Sequence, residues 1–152
     1  MRPMTHSLRK KIRIRIKNRQ DISDLIKDVD IKKENLNRAI ISSFDAIHRD
    51  ISGTTFVNAV IGEKNKEIHM HWCTAYHSSF KDTTFLGRLF LKNADMRHTS
   101  FVGCTILGGV EYQHSDLRGC NLCDALWTVG SRAGHGCKVD KSLIDRWGLK
   151  IE

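Results

Sequence analysis

Large apolar residues recur at every fifth position through much of this chain. From Asn93 to Trp127 the sequence divides into ADMRH, TSFVG and CTILG, then, after an extra Gly109, VEYQH, SDLRG, CNLCD and ALW. The middle places hold Met96, Phe101, Ile106, Tyr112, Leu117, Leu122 and Trp127. The first places hold small or medium residues: Ala94, Thr99, Cys104, Val110, Ser115, Cys120 and Ala125. The other three places are mostly polar. A period of five matches neither the 3.6 residues of a helical turn nor the two-residue alternation of a strand, so the spacing predicts a repeat architecture.

The upstream chain carries a looser version. Blocks ENLNR, AIISS, FDAIH, RDISG, TTFVN and AVIGE place Leu36, Ile41, Ala46, Ile51, Phe56 and Ile61 in the middle. KNKEIHM (64–70) breaks the count and is expected to project as a loop. CTAYH, SSFKD, TTFLG and RLFLK then resume it, with Ala75, Phe80, Phe85 and Phe90 in the middle. Asn93 shifts the count by one and Gly109 shifts it again, and both insertions are expected at corners, where a bulge costs least.

This pattern resembles the pentapeptide-repeat family, whose loose consensus is A(D/N)LXX. Ala94-Asp95-Met96, Ser115-Asp116-Leu117 and Cys120-Asn121-Leu122 carry the resemblance best. It implies an all-β solenoid, a right-handed quadrilateral β-helix in which four repeats make one square coil. The middle residue and the one two before it then face inward. The implied core is Leu36, Ile41, Ile51, Phe56, Phe80, Phe85, Phe90, Met96, Phe101, Ile106, Tyr112, Leu117, Leu122 and Trp127. Glu34 and Arg49 are poor inward residues, and Phe44 with Ala46 inverts the usual large and small places, a swap that conserves volume. The middle residues from Leu36 onward make about four coils, roughly 20 Å of solenoid at strand spacing. Both ends then need covers.

The flanks are read as those covers, short N- and C-terminal capping elements. RKKIRIRIKNR (9–19) as a strand sets Arg9, Lys11, Arg13, Arg15, Lys17 and Arg19 on one face and Ile12, Ile14 and Ile16 on the other. Leu8, Ile12 and Ile16 also form a helical stripe, but alternation with β-branched residues favours the strand. Asp21 is expected to cap a short helix reaching about Asp28, with Ile22, Leu25, Ile26 and Val29 on its apolar side. Residues 1–33 are thus a basic arm or cap, 34–127 the repeat body with a loop near 64–70, and 128–152 a C-terminal loop and capping helix. In the last segment TVGSRAGHGC reads as loop. Asp140 is expected to cap a helix over KSLIDRW that stops at Gly148 and turns Leu143, Ile144 and Trp147 to the last coil.

Composition narrows the class. The chain has 152 residues, 40% of them hydrophobic, and one proline, which suits one ordered domain. No run approaches the roughly 20 apolar residues of a membrane span. The basic N-terminus lacks the apolar stretch of a secretory signal, so the expected setting is the cytoplasm. Five cysteines, an odd number, do not form a secreted disulfide framework. The net charge is +8. Residues 1–33 carry 11 Lys/Arg against 4 Asp/Glu, whereas 34–127 carry 9 against 10. The excess therefore sits in the arm.

Candidate chemistry changes this little. Cys120-x2-Cys123 with His135-x-Cys137 offers four zinc ligands, but the repeat position turns Cys120 inward and Cys123 outward. Cys73, Cys104 and Cys120 share the small inward place, where cysteine acts as apolar filler. His69, His71, Cys73 and His77 match no strong metal spacing. Ser131 and His135 have no motif joining them, and no GxxxxGK[ST] loop is present. No enzyme, cofactor or metal is expected.

The expectation is a non-catalytic scaffold that presents rigid faces to a protein partner, with a homodimer open to it. A second reading gives the six cations of the arm to nucleic acid or another polyanion. Along an extended chain they recur at about 6.6–7 Å, a spacing suited to phosphates, with no aromatic residue between them for base stacking. The alternative for that face is a solvated edge that blocks aggregation. A third reading follows from the resemblance, whose best-known members bind DNA gyrase by mimicking DNA. Those members are acidic dimers, and the basic net charge here disfavours it. Small members with irregular ends are similar to ones found in bacteriophage genomes, and a virion-associated location goes with that source.

Overall fold

Most five-residue blocks close through a tight turn; those centred on Ile41, Ile61, Phe85 and Ile106 run through strands instead. The carbonyl of the middle residue accepts from the N–H three residues on, as from Ala39 to Leu36 (3.2 Å), Ala59 to Phe56 (3.0 Å) and Thr99 to Met96 (3.1 Å). The second residue after the middle one is left-handed, with φ 65° at Arg38, 58° at Asn58 and 57° at His98. That combination is a type II turn. The following residues extend and bridge to the next layer, and the cycle repeats.

The computed structural model describes residues 1–129 and 138–142, with the side chains of 127–129 outside that description. Two helices come first, α1 (His6–Lys17) and α2 (Ser23–Ile26). The strands are β1 (Ile40–Ile41), β2 (Val60–Ile61), β3 (Glu67–His69), β4 (Thr84–Phe85), β5 (Arg88–Phe90), β6 (Thr105–Glu111) and β7 (Leu126–Val129). All pair in parallel in one curled sheet, ordered β1-β2-β4-β6-β5-β3, with β7 on β6. Single bridges continue the stacking between strands, as along Asn35, Thr55, Ser79, Ser100 and Asn121. The chain thus returns to the same place after 20, then 24, then 21 and again 21 residues. This is an all-β solenoid behind a helical N-terminus.

The interior is the column of middle residues. Ile41, Ile51, Phe56, Phe80, Phe85, Met96 and Phe101 are wholly buried, and Leu36, Ile106, Tyr112, Leu117 and Leu122 are buried with them. Phe80 stacks between Phe56 (centroids 4.9 Å apart, planes 4° apart) and Phe101 (5.5 Å, 14°). Phe44 and Ala46 are both buried, Phe44 edge-on to Phe56 at 5.7 Å. Trp127 pairs with Ile106 through its backbone, while its side chain lies outside the described residues.

Several polar residues in the small inward place share one use. Thr54, Ser78 and Thr99 donate to the carbonyls of Ile31, Ile51 and Ala75 at 2.6, 2.8 and 2.8 Å, and the Cys120 thiol to that of Met96 at 2.8 Å. Each acceptor is a middle residue of the coil beneath. Its carbonyl already serves the type II turn, so the side chain takes the second lone pair. Five-residue turns and coil-to-coil stacking are joined by one oxygen.

Five expectations need correction. Phe90 is not a core residue: it is half-buried, and Leu89 and Leu91 on either side are wholly buried. The extra residue therefore lies before β5, near Gly87, and not at Asn93, which takes the ordinary turn position with φ 56°. The loop near 64–70 is shorter than expected, because β3 begins at Glu67, and Ile68 within it and Met70 just after it are buried. The arm is not a strand from Arg9 to Arg19 but helix α1, capped by the Thr5 hydroxyl, which accepts from Leu8 N–H at 3.1 Å. Ile12 is buried and Leu8 and Ile16 pack on the core, whereas Ile14 is 49% exposed. The stripe at i, i+4 and i+8 prevails over alternation because the end of a solenoid offers a flat apolar surface to cover. The expected helix from Asp21 to Asp28 is a single turn, α2, and Asp21 instead accepts from Ser23 N–H at 2.9 Å and from the Ser42 hydroxyl.

The stacking reaches upstream of residue 34. Asp21 bridges to Ile40, Arg2 bridges to Val29, and Ile22, Ile26 and Ile31 are buried. Glu34 and Arg49 are what hold this end. Glu34 receives Arg9 from α1, Nε to Oε2 at 3.0 Å. Arg49 is buried, and its guanidinium donates to the carbonyls of Ile26 (3.1 Å), the last residue of α2, and of Val29 (2.6 Å) beyond it. At the other end Lys138 bridges to Asp116 and Val139 packs on the core. The capping helix expected over 141–147 lies outside the described residues from Leu143 onward.

Candidate interaction surfaces

The six cations expected to share one face do not. Helical geometry puts Arg9 and Arg15 beside the buried stripe, where each finds a carboxylate: Arg9 with Glu34, and Arg15 with Asp24 and the Asp21 carbonyl (3.0 Å). Lys11, Arg13, Lys17 and Arg19 stay exposed, with no carboxylate partner among the described residues. They point around the helix and are not a linear row.

A second surface lies where the turns stack. Residues 47–48 and 71–72 form one corner of adjacent coils, and residues 76–77, 97–98 and 118 form the next. Trp72 is 56% exposed and stacks on His48 (5.9 Å, 19°), and Ile47 is exposed beside them. At the second corner Tyr76 is 38% exposed, edge-on to His98 at 5.6 Å, with the Arg97 guanidinium over its ring at 5.3 Å. His77 and His98 stack at 5.0 Å.

Between the corners runs an ordered charge ladder. Arg97 chelates Asp95 through Nε (2.9 Å) and Nη2 (2.8 Å), and one coil on Arg118 does the same to Asp116 (2.9 and 2.6 Å). These hydrogen bonds hold both carboxyls below the usual carboxylate range and fix both guanidinium planes. Sequence reasoning missed this face. Its signal was available: large aromatics at 72 and 76 in outward places, and Asp-x-Arg recurring at 95–97 and 116–118.

The arrangement is poor in reactive groups. Burial pushes the thiols of Cys73 and Cys104 up to about 12, so both stay protonated. Cys120 is buried and Cys123 half-exposed, as the repeat position required, and His135 and Cys137 lie outside the described residues. No group of metal ligands occurs among the described residues. The histidines have a structural use: His48, His77, His98 and His114 sit at left-handed turn positions, with φ 56–57°. Histidine is enriched there, along with Asn and Asp. No helix among the described residues is long and apolar enough to cross a membrane.

No protein-family model matches this chain, and no curated protein matches it. Solved structures do. The chain is similar to a trypsin-treated form of QnrB1, a plasmid-mediated fluoroquinolone resistance protein, at 16% identity and TM-score 0.38, over 82% of this chain and 68% of that one. It is similar to Rfr23, a pentapeptide repeat protein of the cyanobacterium Cyanothece 51142, at 16% identity and TM-score 0.33, over 72% of this chain. A pentapeptide repeat protein from the Arabidopsis thaliana thylakoid lumen matches at 16% identity and TM-score 0.33, over 71% of this chain. The chain spans 59% of the length of each of the last two. These neighbours are pentapeptide-repeat proteins, the family that the five-residue pattern resembles.

Proposed function

We propose that this protein is a non-catalytic binding module, a right-handed four-sided β-helix of about four coils that holds a protein partner on the face between Trp72 and Tyr76. Trp72 carries the reading. It sits at φ 59° with its indole 56% exposed. A left-handed bulky residue is uncommon, and the other coils put His48, Asn93 and His114 at this corner. Strained positions that keep an exposed aromatic point to contact with something outside the chain. Trp, Tyr and Arg are also the residue types that dominate binding hot spots, and here all three lie on one rigid face.

The test is a quantitative pulldown from extract of the source cells with full-length protein, Trp72→Ala and Tyr76→Ala. A partner retained in stoichiometric amount by the native protein should weaken by about tenfold or more in each variant. If both variants retain the same proteins in the same amounts, this face is not the dock.

A second reading, that α1 binds nucleic acid, is favoured by its exposed cations. With Lys11, Arg13, Lys17 and Arg19 on phosphates, the logarithm of the duplex-DNA affinity should fall with log salt at a slope of about −3.6. An affinity that does not change with salt rejects it. A gyrase-directed reading by DNA mimicry needs an acidic surface, and the neutral body and basic helix do not supply one.

A further inference from the structure

We propose that the cleft between α1 and the first coil binds a phosphorylated small molecule of nucleotide size. The cleft has a volume of about 580 Å³, within the roughly 300–1,000 Å³ of ordinary ligand sites. One wall is α1 and the other is the turn-rich stretch 33–38.

The chemistry follows from which polar groups are already committed. Arg13 and Lys17 line the cleft from the helix, Lys33 and Arg38 from the coil. None of the four has a carboxylate partner among the described residues. The lining holds one carboxylate, Glu34, and Arg9 occupies it. Two asparagines complete the polar lining. The Asn35 amide oxygen accepts from Asn37 N–H and the Asn37 oxygen from Val57 N–H, each at 3.0 Å. Both therefore turn NH2 groups toward whatever else approaches. The polar side chains left to a ligand are donors and cations throughout.

Such a site selects an anion with several acceptor oxygens, and a phosphate ester meets four cations and two amide donors better than a single carboxylate does. Arg13 and Lys17 are one helical turn apart and repel each other until an anion lies between the walls. The half-buried Met4 and Ile16 add an apolar strip for the organic part of the ligand. This site is separate from the Trp72–Tyr76 face and does not depend on it.

Full-length protein titrated calorimetrically with ATP, inorganic pyrophosphate and adenosine tests the assignment. ATP is expected to bind once per chain, pyrophosphate more weakly, and adenosine not at all. Arg38→Glu and Arg13→Glu should each weaken ATP by about tenfold or more. Lys81→Glu makes the same charge change on an exposed turn elsewhere and should alter it by less than about threefold. Circular dichroism confirms that each variant is folded, and Arg38→Gln replaces Arg38→Glu if the latter is not. No binding at about 5 mM ATP, weaker than most ligand sites, overturns the proposal. So does adenosine binding as tightly as ATP, a Lys81→Glu loss equal to that of Arg38→Glu, or preference for a short single DNA strand that survives Arg38→Glu.

Discussion

Phe80→Ala is expected to cost about 3–5 kcal/mol, a large part of the 5–15 kcal/mol that stabilises an ordinary domain. The ring is wholly buried and stacked on both faces, by Phe56 at 4.9 Å and Phe101 at 5.5 Å, and it also touches Phe85 at 5.4 Å. Truncation leaves a cavity that coils pinned by backbone hydrogen bonds cannot close. The melting midpoint should fall by about 6–20 °C. Phe90→Ala is the matched comparison, since simple counting in fives puts both rings inward. Phe90 is half-buried and leans on His69, His71 and Arg88, so its loss should cost about 1 kcal/mol. Thermal melts of the two variants decide the register. Equal losses mean that the inward assignment around β5 is wrong.

That pair also shows how much of the fold the sequence carries. Where coils are regular, the inward place recurs without interruption, and Met96, Phe101, Ile106 and Leu117 are identifiable from spacing alone. Spacing cannot locate an insertion inside a block, because RLFLK offers Leu89, Phe90 and Leu91 as equally apolar choices. Backbone packing near Gly87 makes the choice. The arm failed for a different reason. IRIRI satisfies a two-residue and a four-residue period at once, so the outcome belongs to what lies beneath it. The first coil presents Leu36 and its neighbours as a surface that Leu8, Ile12 and Ile16 cover together, and a helix brings those three to one side.

The candidate surfaces were harder to read than the core, and the reason is physical. Outward places are constrained by turn conformation before anything else, so histidines and asparagines accumulate there without implying chemistry. Glu34 and Arg49 looked like faults in the repeat. They are the residues that fasten the N-terminal cap, one by an ion pair to Arg9 and one by donating to carbonyls at and just beyond the end of α2. A charged residue in an inward place, as at Glu34 and Arg49, here fastens coil to cap, whereas neutral Ser78 and Thr99 bond one coil to the next. The aromatic in an outward turn place, Trp72, is by contrast left 56% exposed.

Gly87→Ala is expected to destabilise the protein by about 3 kcal/mol, through overpacking against backbone and not through lost freedom. A Cβ built on Gly87 would lie 1.8 Å from the Lys66 carbonyl oxygen and 3.0 Å from that of Glu63. On the next coil a Cβ on Gly108 would lie 2.3 Å from Arg88 N. Three successive layers thus pass one another here at backbone contact, and neither obstacle is a side chain that can swing away. The turn at 63–66 is itself tied by Lys66 N–H to Glu63 at 3.1 Å, so relief requires moving β3 or β5. Gly53→Ala is the control. Its φ is 69°, but the nearest atom to an added Cβ is the flexible Lys33 Cγ at 3.2 Å. Only the left-handed penalty of about 1 kcal/mol applies there. Gly87→Ala should lower the melting midpoint by about 6–12 °C, and Gly53→Ala by about a third of that. If the two variants melt together, the chain does not pass closely at this corner, and the extra residues of the later coils are accommodated elsewhere.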